Sequence, residues 1–459
     1  MIITSLNPAT GKIIRKFKSA GAKEVERKVR QARKAFLFWS NLSKGERIRY
    51  FKKLQKVMRK ERRDTANLIH KEMGKPVSDA LGEIDDIVQS IDYYTHSLQK
   101  VRPVDFPIDQ KTWPGRKVKI IFVPHGVVGM IEPWNFPLGT PMANIVPVIL
   151  AGNAAIMKPS EYTTLVGLKI KELFDKANFP KGVFDVLIGG AEAGKMLIKS
   201  AIDKAYFTGS VSAGVDVLKN IGIKPATVEL GGNDPALVLK DADIRLAASS
   251  IITSRLTNAG QCCSSIKRVY VEDEVFPAFL QEAEKIISNT CSGKDYGPLI
   301  RGEALRKVDR AVKELVKSGA KLVAGGKKIP GPGFWYEPTV LLMPRGKTLP
   351  ALCEEIFGPV IPIQTVRDEK EAVRLANDSP YGLTASIWTK NMKKGRAILK
   401  KLQAGMVFLN ETNFWLTGGE YWGGWKNSGF VTTENKIMNA MKRQVIVEYG
   451  DKSGSYGRL

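Results

Sequence analysis

Cys262 and Cys263 stand side by side, two of only four cysteines in the chain, directly after the small, turn-like run Asn258-Ala-Gly-Gln261. The apolar run Val269-Tyr-Val271 follows and reads as a strand. A cysteine on a glycine-containing loop beside a strand is well placed to present a thiolate to a pocket. A free cysteine is also at home as a small buried hydrophobe, and the pair alone leaves both readings open. Three other stretches bear on the choice. Pro133-Trp-Asn-Phe-Pro137 follows a strand and sets the amide of Asn135 between two prolines that stiffen the turn. Such an amide can donate to a developing oxyanion. In Thr227-Val-Glu-Leu-Gly-Gly-Asn-Asp234, Glu229 ends a strand just before two flexible glycines, where a carboxylate can act as a mobile general base. Phe207-Thr-Gly-Ser-Val-Ser-Ala-Gly214 opens from a strand end into a helix N-terminus, where backbone N–H groups and the helix dipole favour phosphate. Singly, each has a plainer reading: a turn, a strand-end charge, a helix cap.

The elements that must position these residues follow from periodicity. At 459 residues the chain exceeds the size at which one core stops growing, so two domains are expected. Amphipathic helices dominate up to about residue 100, the last of them carrying Ile84, Ile87, Ile91 and Tyr94 on one face. A segment with Pro103, Pro107 and Pro114, closed by Pro124, reads as an excursion from the compact body and holds the strand 117–123. From Val127 strands alternate with helices: strands at 127–131, 154–157, 183–188, 205–207 and 226–230, with helices at 141–150 and 162–177 between them. That pattern predicts a parallel, doubly wound sheet. A second cycle starts at Asp234 and runs to Val407-Phe-Leu409. The fold class is therefore α/β.

Composition excludes several functions. With 43% hydrophobic and 25% charged residues the chain is globular, and no apolar run approaches a membrane span. No secretory signal is expected at Met1–Pro8, and four cysteines make no disulfide framework. A reducing cytosol is the expected home. His70, His96 and His125 are scattered and there is no Cys-x-x-Cys, so no metal site is expected. Gly189-Gly-Ala-Glu-Ala-Gly-Lys195 has the spacing of a phosphate-binding loop, yet Met196 replaces the hydroxyl that would bind Mg²⁺. Nucleotide triphosphate hydrolysis is rejected, and a glycine turn into a helix near a cofactor is the better reading. The net charge of +25 is crowded into Lys12 to Lys18, Lys23 to Lys34 and Lys44 to Arg63. In the second and third runs Val25, Val29 and Ala32, then Ile48, Phe51, Leu54 and Met58, form apolar stripes. The charges there are expected on solvated helix faces, without a nucleic-acid partner.

Taken together the motifs resemble those of the NAD(P)-dependent aldehyde dehydrogenase superfamily from about residue 5 to 430. They include Pro133-Trp-Asn-Phe-Pro137, Lys158-Pro-Ser-Glu161, Phe207-Thr-Gly-Ser210, Glu229-Leu-Gly-Gly232, Gly260-Gln-Cys-Cys263, Glu355-Ile-Phe-Gly-Pro359 and Gly423-Gly-Trp-Lys-Asn-Ser-Gly429. The resemblance implies that Cys263, two places after the Gln, is the nucleophile. It implies Asn135 and the Cys263 N–H as oxyanion donors, and Glu229 as the base that hydrolyses a thioester. Trp134, Lys158, Ser160, Glu161, Gly209, Ser210, Glu355 and Phe357 would hold NAD, with NADP as the alternative. Phe136, Cys262, Ser264, Trp415 and Trp422 would line the substrate pocket. Residues 1–102 with 125–228 would bind the cofactor, and 229–435 would be catalytic. Segments 103–124 and 436–459 would bridge subunits of a homodimer or homotetramer, with Gln444–Tyr449 joining a neighbour's sheet. Gln261-Cys-Cys-Ser-Ser looks somewhat like succinate-semialdehyde dehydrogenases, and Trp422-Gly-Gly like members acting on long apolar aldehydes. Phe430-Val-Thr-Thr-Glu434 departs from the family's usual continuation. An acylating enzyme using coenzyme A, which would not need Glu229, is the runner-up. A basic nucleic-acid-binding protein on an inactive scaffold is suggested by charge alone.

Overall fold

The computed structural model describes residues 1–346, 348–412, 422–430 and 435–449. Near-continuous apolar strands separated by helices can bury both faces of a parallel sheet, and two such sheets form. The first contains the parallel strands Val127–Ile131, Ala154–Lys158, Phe184–Val186, Lys204–Thr208 and Ala226–Glu229. Val127–Ile131 has Ala154–Lys158 on one side and Lys204–Thr208 on the other, so the direction of winding reverses there. A crevice opens beyond the carboxyl ends of strands at such a switch point. Gly429–Phe430 adds an antiparallel edge beside Glu229 and Val228, a pairing that periodicity did not predict.

The second sheet aligns Asp234–Val238, Ile266–Glu272, Thr339–Leu342, Val360–Val366, Thr384–Trp388 and Met406–Leu409 in parallel, with Lys321–Ala324 antiparallel at one edge. The chain passes from Glu229, the carboxyl end of a strand in the first sheet, through 230–233 to Asp234, the amino end of a strand in the second. The two ends therefore face each other. Asp234 pairs with Ile266, and Cys263 stands just upstream of that pair.

The helices Ala22–Trp39, Lys44–Lys60 and Val77–Lys100 bury the predicted stripes, including Val29, Ala32, Phe51, Leu54, Met58, Ile87 and Tyr94. Their basic side chains mostly point outward. Lys28 is an exception, paired with Asp185 at 2.9 Å, and Arg47 is another, its Nε donating to the Leu150 carbonyl at 2.9 Å. No described helix is long and apolar enough to cross a membrane. The opening stretch is a hairpin that pairs Ile2–Leu6 with Ile13–Lys18.

The excursion forms a three-stranded antiparallel sheet of Val104–Phe106, Arg116–Pro124 and Met441–Tyr449. The C-terminal strand pairs within its own chain on one side, from Met441 opposite Pro124 to Tyr449 opposite Arg116. It occupies an edge of this sheet and exposes Val445, Val447 and Tyr449.

Candidate active site

A cleft of ≈ 1490 Å³ runs between the facing sheet ends. Its walls include Trp134, Asn135, Phe136, Lys158, Ser160, Glu161, Gly209, Ser210, Glu229, Cys262, Cys263, Ser264, Glu355, Phe357 and Trp422. The fold thus gathers residues far apart in the chain. Trp415 lies outside the described residues. Gly189 and Gly190 instead sit at the start of the helix Ala191–Lys199, and Gly189 O receives a 3.3 Å hydrogen bond from Lys158 Nζ.

The turn before the cysteines is locally unfavourable and heavily braced. Asn258, Ala259 and Gly260 all have left-handed backbones, with φ of 54°, 55° and 71°. A Cβ on Gly260 would stand 2.1 Å from Gly358 O, so only glycine fits. Gln261 braces the turn with Nε2 donating to Asn258 O at 3.0 Å and to Pro298 O at 3.2 Å, while its Oε1 accepts from Ile300 N at 2.8 Å. The buried guanidinium of Arg255 donates to Val360 O at 2.7 Å, Ile356 O at 2.6 Å and Ser265 Oγ at 2.9 Å. Cys262 is 4% exposed, whereas Cys263 is half-buried. Cys262 Sγ and Ser264 Oγ share a hydrogen bond at 3.4 Å. The adjacent thiols titrate together, so that with the nearby Lys267 charge a single thiolate on the pair is easier to form and a second harder.

Asn135 Nδ2 donates to Gln261 O at 3.0 Å, and Asn258 Nδ2 donates to Asn135 O at 2.8 Å. One N–H of the Asn135 amide is thereby used, and its amide has a second. Glu229 ends its strand opposite Gly429 and in register with Thr208. Burial raises the Glu229 carboxyl above its ordinary range, and the charge of Lys436 opposes that shift. One residue beyond Ile131, Glu132 shares the row of Thr208 and Glu229. It accepts from Asn144 Nδ2 at 3.3 Å, and burial pushes its carboxyl well up. Glu132 and Lys436 also line the cleft, and neither was singled out from sequence.

Along the other arm, buried Lys158 donates to Pro159 O at 2.8 Å and lies 3.7 Å from Glu161. Ser210 caps the helix Val211–Ile221 by accepting from Ala213 N at 3.4 Å. Trp134 and Phe357 meet edge to face, with ring centroids 5.6 Å apart. Glu355 accepts from Gly232 N at 3.3 Å, and a Cβ on Gly231 would stand 2.2 Å from its Oε2. An ammonium and carboxylate at one end, a helix N-terminus in the middle and a carboxylate near the thiols fit a dinucleotide. Lys267 is a further functional candidate that sequence reading missed. The available signal was a lysine four residues after Cys263, inside a strand whose every residue is buried.

The aldehyde dehydrogenase family model matches residues 1–445. The chain belongs to that family and is an oxidoreductase acting on aldehydes. Members of the family use NAD(P) and are typically oligomeric. The betaine aldehyde dehydrogenase of Bacillus subtilis is 33% identical over 450 residues, covering 94% of this chain and 90% of that protein. The mitochondrial succinate-semialdehyde dehydrogenase of Arabidopsis thaliana is 33% identical over 458 residues, covering 98% and 83%. Among solved structures, lactaldehyde dehydrogenase from Escherichia coli superposes with a TM-score of 0.94 at 31% identity, covering 98% of this chain and 96% of that one.

Proposed function

We propose that this enzyme oxidises an aldehyde to the carboxylic acid through a thioester on Cys263, with NAD as acceptor. The observation that carries the proposal is that Cys263 and Glu229, from different sheets, line one cleft. The Cys263 thiolate adds to the aldehyde carbon, forming a C–S bond and moving the carbonyl electron pair to oxygen. The Cys263 N–H and the second N–H of Asn135 stabilise that oxyanion. Bound nicotinamide supplies the acceptor for the hydride that leaves the same carbon. Glu229 then takes a proton from water, whose oxygen attacks the thioester, releases the thiolate and frees the acid.

Lys158, Ser160 and Glu161 would hold the adenosine ribose, Gly209 and Ser210 the pyrophosphate, and Glu355 the nicotinamide ribose. Trp134 and Phe357 would pack at the nicotinamide end. Segments 1–102 and 125–228 would form the cofactor domain and 229–435 the catalytic one. The exposed Val445, Val447 and Tyr449 support the three-stranded sheet as the subunit contact of a homo-oligomer. The four free cysteines fit work in a reducing cytosol. Phe136, Cys262, Ser264 and Trp422 would shape the aldehyde pocket. Glu161 favours NAD, because its charge repels a 2′-phosphate.

An aldehyde panel assayed with NAD or NADP, with and without coenzyme A, tests this reading. Acid and NADH should appear in equal amounts without coenzyme A. Strict coenzyme A dependence would overturn the hydrolytic step, and an NADP preference would overturn the role of Glu161.

A further inference from the structure

Lys267 lies in the strand Ile266–Glu272 with a side chain only 1% exposed, and the mechanism above leaves it without a task. Its Nζ donates to Cys262 O at 2.9 Å, Cys263 O at 2.5 Å and Ser265 O at 3.2 Å. Three acceptors match the three protons of an ammonium group. Two carboxylates stand slightly farther away, Glu355 Oε1 at 3.4 Å and Asp234 Oδ2 at 3.6 Å. Burying a lysine is costly, and methionine would fill similar space without desolvating a charge. The ammonium therefore has a role beyond packing.

We propose that Lys267 is a positioning residue for Cys263: it ties the nucleophile turn to Glu355 and polarises the Cys262–Cys263 peptide, so that the Cys263 N–H becomes a stronger oxyanion donor. The inference rests on the reading of Cys263 as nucleophile. The Cys262 carbonyl that receives the ammonium also accepts from Ser265 Oγ at 3.0 Å and Ser265 N at 3.3 Å. Donors converging on that oxygen draw density through the peptide bond, leaving more positive charge on the N–H at its far end. That N–H belongs to Cys263. The next carbonyl, Cys263 O, also accepts from Lys267 and lies close against Gly232, where a Cβ would stand 2.5 Å from it. The same Gly232 donates its N–H to Glu355, so one ammonium connects the thiol turn with the carboxylate proposed to hold the nicotinamide ribose.

Charge acts in the same direction as geometry. The thiols are surrounded by Lys267, Arg255, Asp234 and Glu355, with Glu229 on the facing sheet. Lys267 favours a thiolate on the cysteine pair, and the carboxylates oppose it. Removing the ammonium leaves Arg255 as the buried cation facing Glu355, Asp234 and the thiols, so thiol ionisation should require higher pH.

The test uses full-length wild-type enzyme, Lys267→Met and Lys267→Arg. Alkylation of Cys263 by iodoacetamide is followed against pH by peptide mass, with neither cofactor nor aldehyde present. Lys267→Met should move the alkylation midpoint up by about one pH unit. At a pH where the thiol is fully ionised, its NADH burst should remain about tenfold slower, because the oxyanion donor is weaker. Lys267→Arg, which keeps charge and donors, should recover most of both losses. Should the Met variant fail to fold, Lys267→Gln is scored by the same two readouts. A Met or Gln variant with the wild-type midpoint and burst overturns the proposal. Wild-type enzyme that alkylates normally but oxidises no aldehyde sinks the proposed reaction instead, and the alkylation comparison then decides Lys267 separately.

Discussion

The two sides of the cleft are built on opposite principles. On the second sheet the nucleophile turn is over-determined: three successive left-handed residues are pinned by Gln261, Asn258, Arg255 and Lys267. On the first sheet Glu229 ends a strand beside two glycines and a short antiparallel edge, facing Lys436 across a buried polar cluster. A thiol that must meet an oxyanion hole gains from rigidity. A carboxylate needed only after acylation gains from freedom to move, so that it does not obstruct hydride transfer. In the proposed reaction acylation falls to the braced side and hydrolysis to the side of Glu229.

Breaking the rigid side should have the larger effects. Cys263→Ser should remove nearly all activity, since a hydroxyl without a dedicated base is a poor nucleophile at neutral pH. Cys262→Ser should keep most turnover, and the reverse pattern in steady-state assays would show the nucleophile to be the wrong one of the pair. Asn135→Ala should slow the NADH burst by about 10²- to 10³-fold, the usual cost of one oxyanion donor. An unchanged burst would leave the backbone N–H acting alone. Arg255→Met strips a donor from buried carbonyls and should lower stability by about 3 kcal/mol, seen as a reduced Tm. An unchanged Tm would mean that the turn does not depend on this brace.

The Glu229 side should respond through pH. Because the Glu229 carboxyl is raised by burial, its ionised form is lost at higher pH than for an ordinary carboxylate as the solution is acidified. Steady-state turnover should fall along that limb. Lys436→Met removes the charge that opposes the shift, so the acid limb should move to higher pH by up to about one unit. A pH–rate profile identical to wild type would separate Lys436 from the base.

Much of this contrast was legible in the chain. The motifs around Asn135, Glu229 and Cys263 sit at strand ends because strand-to-loop transitions leave local marks: apolar runs, prolines and glycines. The parallel, doubly wound sheet followed from alternating strands and helices. What escaped depended on non-local pairing. Nothing in Gly429-Phe430 announces a partner at Glu229, and Asn7-Pro8 after Ile2–Leu6 marks a turn without naming the strand that returns. The intrachain partner of Met441–Tyr449 was missed for the same reason. Lys267 and Glu132 escaped because a charge inside or just after an apolar strand normally reads as an outward-facing residue. Only the carbonyls and amides brought in from other segments make burial tolerable there.

The division of labour is tested most directly by rapid-mixing absorbance on Glu229→Gln, which keeps the volume of the side chain and removes the base. The thiol side is intact in this variant, so one NADH per active site should form in a burst at close to the wild-type rate. Turnover should then fall by about 10²- to 10⁴-fold, the usual contribution of a general base. A missing burst would contradict the account by showing that Glu229 also activates the thiol, and unimpaired steady-state turnover would contradict it by placing the hydrolytic base elsewhere.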